Sequence, residues 1–416
     1  MITIIADYIN GNGLCTYKSF NEMFNSEFEY DDMVLLDVAN NSITYLIYYL
    51  GGKQLPKQLR DFDCQNNYIR CLPSTLPINL LRLNCSANSL SVLPTLPRNL
   101  TELDCSNCCL TSLPELPSKL ELLNCSFNQI TQLPDYIPST LKELNCSHNK
   151  IKALPSLCYG LNKLNCSFNE LEYLPCHLPG KLESLDCQSN NIDELPDLPE
   201  DLRDLYCGNN KLEYLPYFPE SLKILACNGN QITDIDGLPD TLEELYLNGN
   251  KIDSLYGLPS GLKHLTCCNN VIDYMTFPES LEILYCDNNN LHEFDRSIGD
   301  CNNLRYVSCS GNPVQDKINR YFERFPFDEE DKFKIFLTTF LKDLDVQSWN
   351  PISPYSREKR KFVEDIYLDE SEEEDTTSTT ENKKRKLVDY SSDENDEKIN
   401  ENNDKKKDSD SSSSES

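Results

Sequence analysis

A single register runs through most of the chain. Cys64, Cys85, Cys105, Cys125, Cys146, Cys166, Cys187, Cys207 and Cys227 are followed by Leu247, then Cys267, Cys286 and Cys309. Successive members lie about 20 residues apart, a period that means stacked copies of one small unit. Two residues before each member is an apolar side chain, from Phe62 and Leu83 to Val307. Three residues after it stands Asn, as at Asn67, Asn88 and Asn312, with Cys108 the one departure. A degenerate earlier copy carries Leu36, Val38, Asn41 and Ile43. The unit reads L-x-x-L-x-C-x-x-N-x-L-x-x-L-P-x-x-x-P-x-x.

Each part of the unit has a physical reason. The L-x-C alternation has period 2, so both side chains fall on one face of a short strand. One such strand cannot stand alone; stacked in parallel, strands complete each other's hydrogen bonds and bury a continuous core. Asn follows where the chain turns, and its amide both donates and accepts, so a stacked Asn column can satisfy inward-facing turn backbone. Two proline columns, beginning at Pro73 and Pro77, close the other side. Proline fixes φ and favours extended geometry, and so short a unit has no room for a convex helix.

This pattern resembles the short-repeat, proline-marked leucine-rich-repeat family. It is most similar to the repeats of bacterial secreted effectors and of giant DNA viruses of amoebae, with Cys in the ladder where the family usually has an apolar residue. The resemblance covers residues 33–312. It implies a leucine-rich-repeat solenoid with a parallel β-sheet on the concave face and an extended, polyproline-like convex side. Residues 1–32 lack the register but hold Ile4, Ile5, Phe20, Phe24 and Phe28, which reads as an N-terminal cap over the first strand edge. Residues 313–352 carry Phe322, Phe325, Phe333, Phe336 and Phe340 at helical spacing, which reads as a helical C-terminal cap. Residues 353–416 are rich in Ser, Asp, Glu, Asn and Lys, and read as a disordered acidic tail.

Charge and composition narrow the function. The formal net charge is −30. Residues 357–416 hold 20 acidic and 12 basic side chains, a net −8 that leaves −22 for the rest. Such a balance opposes binding to nucleic acid or anionic lipid, which need clustered Lys and Arg. The start, Met1-Ile2-Thr3-Ile4-Ile5-Ala6-Asp7, has no secretory pattern, and no apolar run is long enough to span a bilayer. The expectation is an intracellular, cytoplasmic and monomeric protein, with Lys383-Lys384-Arg385-Lys386 as a candidate nuclear-import run.

No catalytic or cofactor constellation emerges. The ladder cysteines read as reduced core filler rather than as disulfides or metal ligands, because buried Cys behaves as a small hydrophobe. Cys105-x-x-Cys108-Cys109 is half of a zinc pattern without a second pair, so no metal is expected. The effector relatives often carry a C-terminal ubiquitin-ligase domain with a nucleophilic Cys. No Cys follows Cys309 here, so that activity is not carried over.

The strand residues that alternate with core positions should form the binding face. The residue before each ladder position gives one row: Asp63, Asn84, Asp104, Asn124, Asn145, Asn165 and Asp186, then Tyr206, Ala226, Tyr246, Thr266, Tyr285 and Ser308. The Asn and Asp members read as hydrated and weakly binding, so that Asn84→Leu should disturb folding far less than Asn169→Leu in the turn column. The later part combines Tyr206, Tyr246, Tyr285 and Tyr306 with Ile224, His264 and Ile283 as the candidate partner-binding set. The main expectation is a non-catalytic protein–protein interaction scaffold with an unidentified protein partner. The alternatives are a substrate adaptor for a ubiquitin ligase or other enzyme complex, and a structural virion-type component.

Overall fold

The computed structural model describes residues 2–9 and 13–316. The chain opens with β1 (Ile4–Tyr8), β2 (Cys15–Tyr17), α1 (Phe20–Phe24), β3 (Met33–Asp37) and α2 (Leu46–Tyr49). It then enters a series of short strands: β4 (Asp61–Asp63), β5 (Arg82–Asn84), β6 (Glu102–Asp104), β7 (Leu122–Asn124), β8 (Glu143–Asn145) and β9 (Lys163–Asn165). The series continues with β10 (Ser184–Asp186), β11 (Asp204–Tyr206), β12 (Ile224–Ala226), β13 (Glu244–Tyr246), β14 (Ser254–Leu255), β15 (His264–Thr266), β16 (Tyr274–Met275), β17 (Ile283–Tyr285) and β18 (Tyr306–Ser308).

These strands build a solenoid. All except β14 and β16 join one 16-stranded sheet, in which each repeat strand pairs in parallel with the next. The pairing is residue for residue: Leu185 opposes Leu205, which opposes Leu225. The period-2 reading therefore holds at every turn. Leu83 and Cys85, Leu103 and Cys105, and Leu225 and Cys227 point into one continuous core, while the residues between them face outward.

The Asn column locks turn to turn. Asn88 Nδ2 donates to the carbonyls of Cys64, Cys85 and Ser86, at 2.9, 3.1 and 3.0 Å. Its Oδ1 accepts the Ile69 N–H of the preceding turn at 2.9 Å. One side chain thus satisfies backbone groups in two successive turns, groups that would otherwise be buried without partners. Cys108 fills the same place with fewer bonds, its Sγ donating to Cys85 O at 3.5 Å.

The convex side is extended, apart from the two-stranded pairing of β14 with β16 and a 3-10 turn at Arg296–Asp300. That turn falls in the longest step of the ladder, between Cys286 and Cys309, where the unit has residues to spare. The second proline column starts the return to most strands, with Cys158 and Cys301 taking its place before β9 and β18. Pro77 O accepts the Leu80 N–H at 3.1 Å, and Pro97, Pro117 and Pro138 repeat the turn.

At the N-terminal end β1 runs antiparallel to β3, with Ala6 opposite Leu36, and β2 pairs with β1 in turn. Ile4, Ala6 and Tyr8 extend the core past the first repeat, and Tyr8 stacks on Phe28 at 4.7 Å. Ser19 caps α1 by accepting the Glu22 N–H at 3.1 Å. From residue 317 onward, most of the segment read as a helical cap (313–352), and all of the acidic tail (353–416) with its basic run, lie outside the described residues. Among the described residues no helix is long and apolar enough to cross a membrane.

Candidate functional site

Two outward rows run across the sheet. One contains Asp204, Ile224, Glu244, His264, Ile283 and Tyr306; the other contains Tyr206, Ala226, Tyr246, Thr266, Tyr285 and Ser308. Because paired positions in a parallel sheet lie ~4.8 Å apart, side chains on successive strands touch. The Tyr246 and His264 rings meet at 5.2 Å, His264 and Tyr285 at 6.3 Å, and Tyr285 and Tyr306 at 4.9 Å. Four of the seven candidate residues thus form one unbroken aromatic chain over β13, β15, β17 and β18. In register, Ile283 lies between His264 and Tyr306, and Ile224 stands one strand before Glu244. Tyr206 stands two strands before Tyr246 in the same row, on β11.

The cluster is half-buried and its polar tips are oriented. Tyr246 donates its hydroxyl to Glu244 Oε2 at 2.8 Å. Burial, reinforced by that carboxylate, pushes the Tyr246 phenol well above its ordinary value. Burial also lowers the His264 pKa, against an opposing pull from Glu244. The neutral imidazole is therefore favoured near pH 7, and its buried Nε2 meets no hydrogen-bond partner among the described residues.

The first half of the face departs from the hydrated row expected of it. Asn84 Oδ1 accepts both the N–H and the Oγ–H of Ser86, at 3.2 and 2.7 Å, and its Nδ2 donates to Asp63 at 3.2 Å. Asp104, Asn124, Asn145 and Asn165 hold the Ser two residues on in the same way. This row terminates each strand and is part of the fold, because an N–H leaving the strand needs an acceptor. Asn84→Leu, expected to disturb folding far less than Asn169→Leu, would therefore still remove three hydrogen bonds.

Above this half lies a groove of about 950 Å³, which begins near Ile5 and Leu14 and ends at Tyr206. Asp37, Asp63, Asp104 and Asp186 lie along it. Arg82 pairs with Asp61, and Lys163 with Glu143 at 2.9 Å. Burial raises the Asp63 pKa, and the charges of Asp37 and Asp104 raise it further. The sequence placed Asp63, Asp104 and Asp186 in this row as hydrated, weakly binding positions, and Asp37 extends the row into the degenerate first copy. Among the described residues no group of three or more His, Cys, Asp or Glu is placed to hold a metal ion.

Comparison with known proteins agrees with this geometry. The family described as leucine-rich repeats (2 copies) matches residues 98–138 and 220–260. No curated protein sequence matches the chain significantly. Among solved structures, YopM from Yersinia enterocolitica is 34% identical with a TM-score of 0.63, over 68% of this chain and 61% of that one. The chain thus spans less than two thirds of that relative. InlJ of Listeria monocytogenes, whose functional domain includes a cysteine ladder, is 27% identical with a TM-score of 0.55, over 67% of this chain and 68% of that one. YopM from Yersinia pestis, a leucine-rich effector protein, is 31% identical with a TM-score of 0.60, over 67% of this chain and 77% of its own. With that repeat unit, that parallel solenoid and that likeness, the chain belongs to the leucine-rich-repeat family and resembles the repeat domains of bacterial effectors.

Proposed function

We propose that the protein is an interaction scaffold that holds a protein partner on its concave face, with the aromatic chain from Tyr246 to Tyr306 as the anchor. The leucine-rich-repeat fold supports an interaction scaffold in general. The observation that carries the finer reading is the contact of Tyr246, His264, Tyr285 and Tyr306 across four neighbouring strands. Aromatic side chains supply apolar area with a polar tip, and here the sheet has already immobilised them. A rigid surface loses little entropy on binding, so its contacts yield more net affinity.

Affinity purification from expressing cells, with wild-type and variant chains, tests this. Tyr246→Ala should weaken capture of the partner by ~2 kcal/mol, as a central anchor would. It should leave the unfolding midpoint nearly unchanged, because the side chain faces away from the core. Wild-type capture by both Tyr246→Ala and Tyr285→Ala would refute the assignment. Recovery of a ubiquitin-ligase subunit that depends on residues 1–32 would instead favour the adaptor reading.

A further inference from the structure

The repeat performs one structural task with two residues of different charge. At the strand-ending position, Asn84, Asn124, Asn145 and Asn165 accept the N–H two residues on. Asp37, Asp63, Asp104 and Asp186 accept the same N–H, at 2.8, 2.9, 2.9 and 3.2 Å. Since a neutral amide accepts that N–H equally well, this bond does not need the negative charge; the second oxygens of Asp63 and Asp104 accept only the neutral amides of Asn84 and Asn124. That charge is also unfavourable where it stands, because Asp37 and Asp63 are direct neighbours on paired strands and like charges so placed repel. Among the described residues no Lys or Arg forms an ion pair with any of the four.

The groove above these side chains is an unpartnered sheet face. From β3 to β11 it is ~38 Å long at ~4.8 Å per strand, which matches about a dozen residues of extended chain. Leu35 and Leu122 add apolar area along its floor, and Tyr206 ends it two strands before Tyr246. We propose that this groove receives an extended, Lys- and Arg-bearing segment of the protein partner, with cationic side chains seated over Asp37, Asp63 and Asp104. The cation neutralises carboxylates that the fold leaves without counter-charges, and the aliphatic stem of Lys or Arg covers the leucines. This inference rests on the concave-face reading above and adds the chemical class of the partner segment.

The test uses the full chain and a fluorescein-labelled peptide of about a dozen alternating Lys and Ser residues, matched to the groove length, followed by fluorescence anisotropy. The variant Asp37→Asn/Asp63→Asn/Asp104→Asn keeps every Oδ1 acceptor but loses the Oδ2 atoms that accept from Asn84 and Asn124 Nδ2, so its thermal midpoint should fall modestly while the chain stays folded. It should bind the peptide about ten-fold or more weakly at about 0.1 M salt. Glu172→Gln/Glu194→Gln/Glu213→Gln removes equal charge from exposed positions outside the groove and should bind within about two-fold of wild type. Equal loss in both triples, or no binding to the wild type, overturns the proposal. If the first triple fails to fold, Asp104→Asn alone carries the test, with weaker binding supporting the proposal and unchanged binding overturning it. Tyr246→Ala separates the two readings: peptide binding lost with Tyr246→Ala but kept in the Asn triple leaves the concave face standing and removes the groove.

Discussion

Two residues after each ladder position the backbone is left-handed, with φ of 52° at Asn66, 50° at Ala87, 53° at Phe127, His148 and Phe168, and 66° at Gly249. Any side chain with a Cβ is strained there, at ~1 kcal/mol or more. Ala87→Gly should therefore raise the unfolding free energy by ~1 kcal/mol, and Gly249→Ala should lower it by a similar amount. A Cβ on Gly249 would meet nothing nearer than 3.7 Å, so the second change isolates backbone strain from packing. Urea unfolding of both variants checks the pair, and shifts of the same sign would disprove the shared cause. Bulky residues survive at Phe127, His148 and Phe168 because their rings stack, at 4.0 and 4.1 Å with interplanar angles of 11° and 9°. The repeat lets one unfavourable dihedral be offset by contact with its neighbours in the same column.

At the scale of the strand, the ladder thiols are defined by burial. Cys85, Cys125 and Cys207 have no exposed surface, and all twenty cysteines are free. Burial pushes the Cys146 and Cys227 thiols up to about 12 and raises the other fully buried ladder thiols strongly. Since the thiolate is the nucleophile, native alkylation at pH 8 should be fast at exposed Cys71, Cys109 and Cys176 only. The ladder members should label only after denaturation. Mass counting over time gives the answer, and quick native labelling of most ladder members would contradict the packing. The low reactivity follows from the L-x-C alternation, which turns Cys and Leu to the same inner face.

In the whole molecule, stability passes from turn to turn. Asn169 Nδ2 donates to Cys146, Cys166 and Ser167 carbonyls, at 3.0, 3.1 and 3.1 Å, and its Oδ1 accepts the Ile151 N–H at 3.0 Å. Asn169→Leu strands these groups and should cost ~1–3 kcal/mol. Each turn contacts only its neighbours, so the loss should appear first around residues 146–190. Hydrogen exchange should show the Ile151 amide losing protection while turns near Asn270 keep theirs. Uniform loss along the solenoid would mean that the turns unfold as one unit. Repeat architecture thus makes the two halves of the concave face separable in stability, as they are in chemistry: carboxylates first, aromatics later.

The period, the inward alternation, the turn column and the lack of room for a convex helix were all legible in the chain, because each is a local pattern copied turn after turn. Register in a parallel stack is one for one, so the outward rows of Asp, Asn and Tyr could also be written down in advance. What the rows do was not legible. Asn84 and Tyr246 occupy the same column, yet the first closes a strand through Ser86 while the second joins a ring cluster. That difference depends on which atoms lie within ~3 Å, and letters spaced ~20 apart carry no distances. The antiparallel pairing of β1 with β3 likewise lies outside the repeat, where no periodicity announces a partner. Local chemistry repeated in register determined the solenoid; only the assembled sheet decided which polar groups it consumes and which it leaves facing the groove.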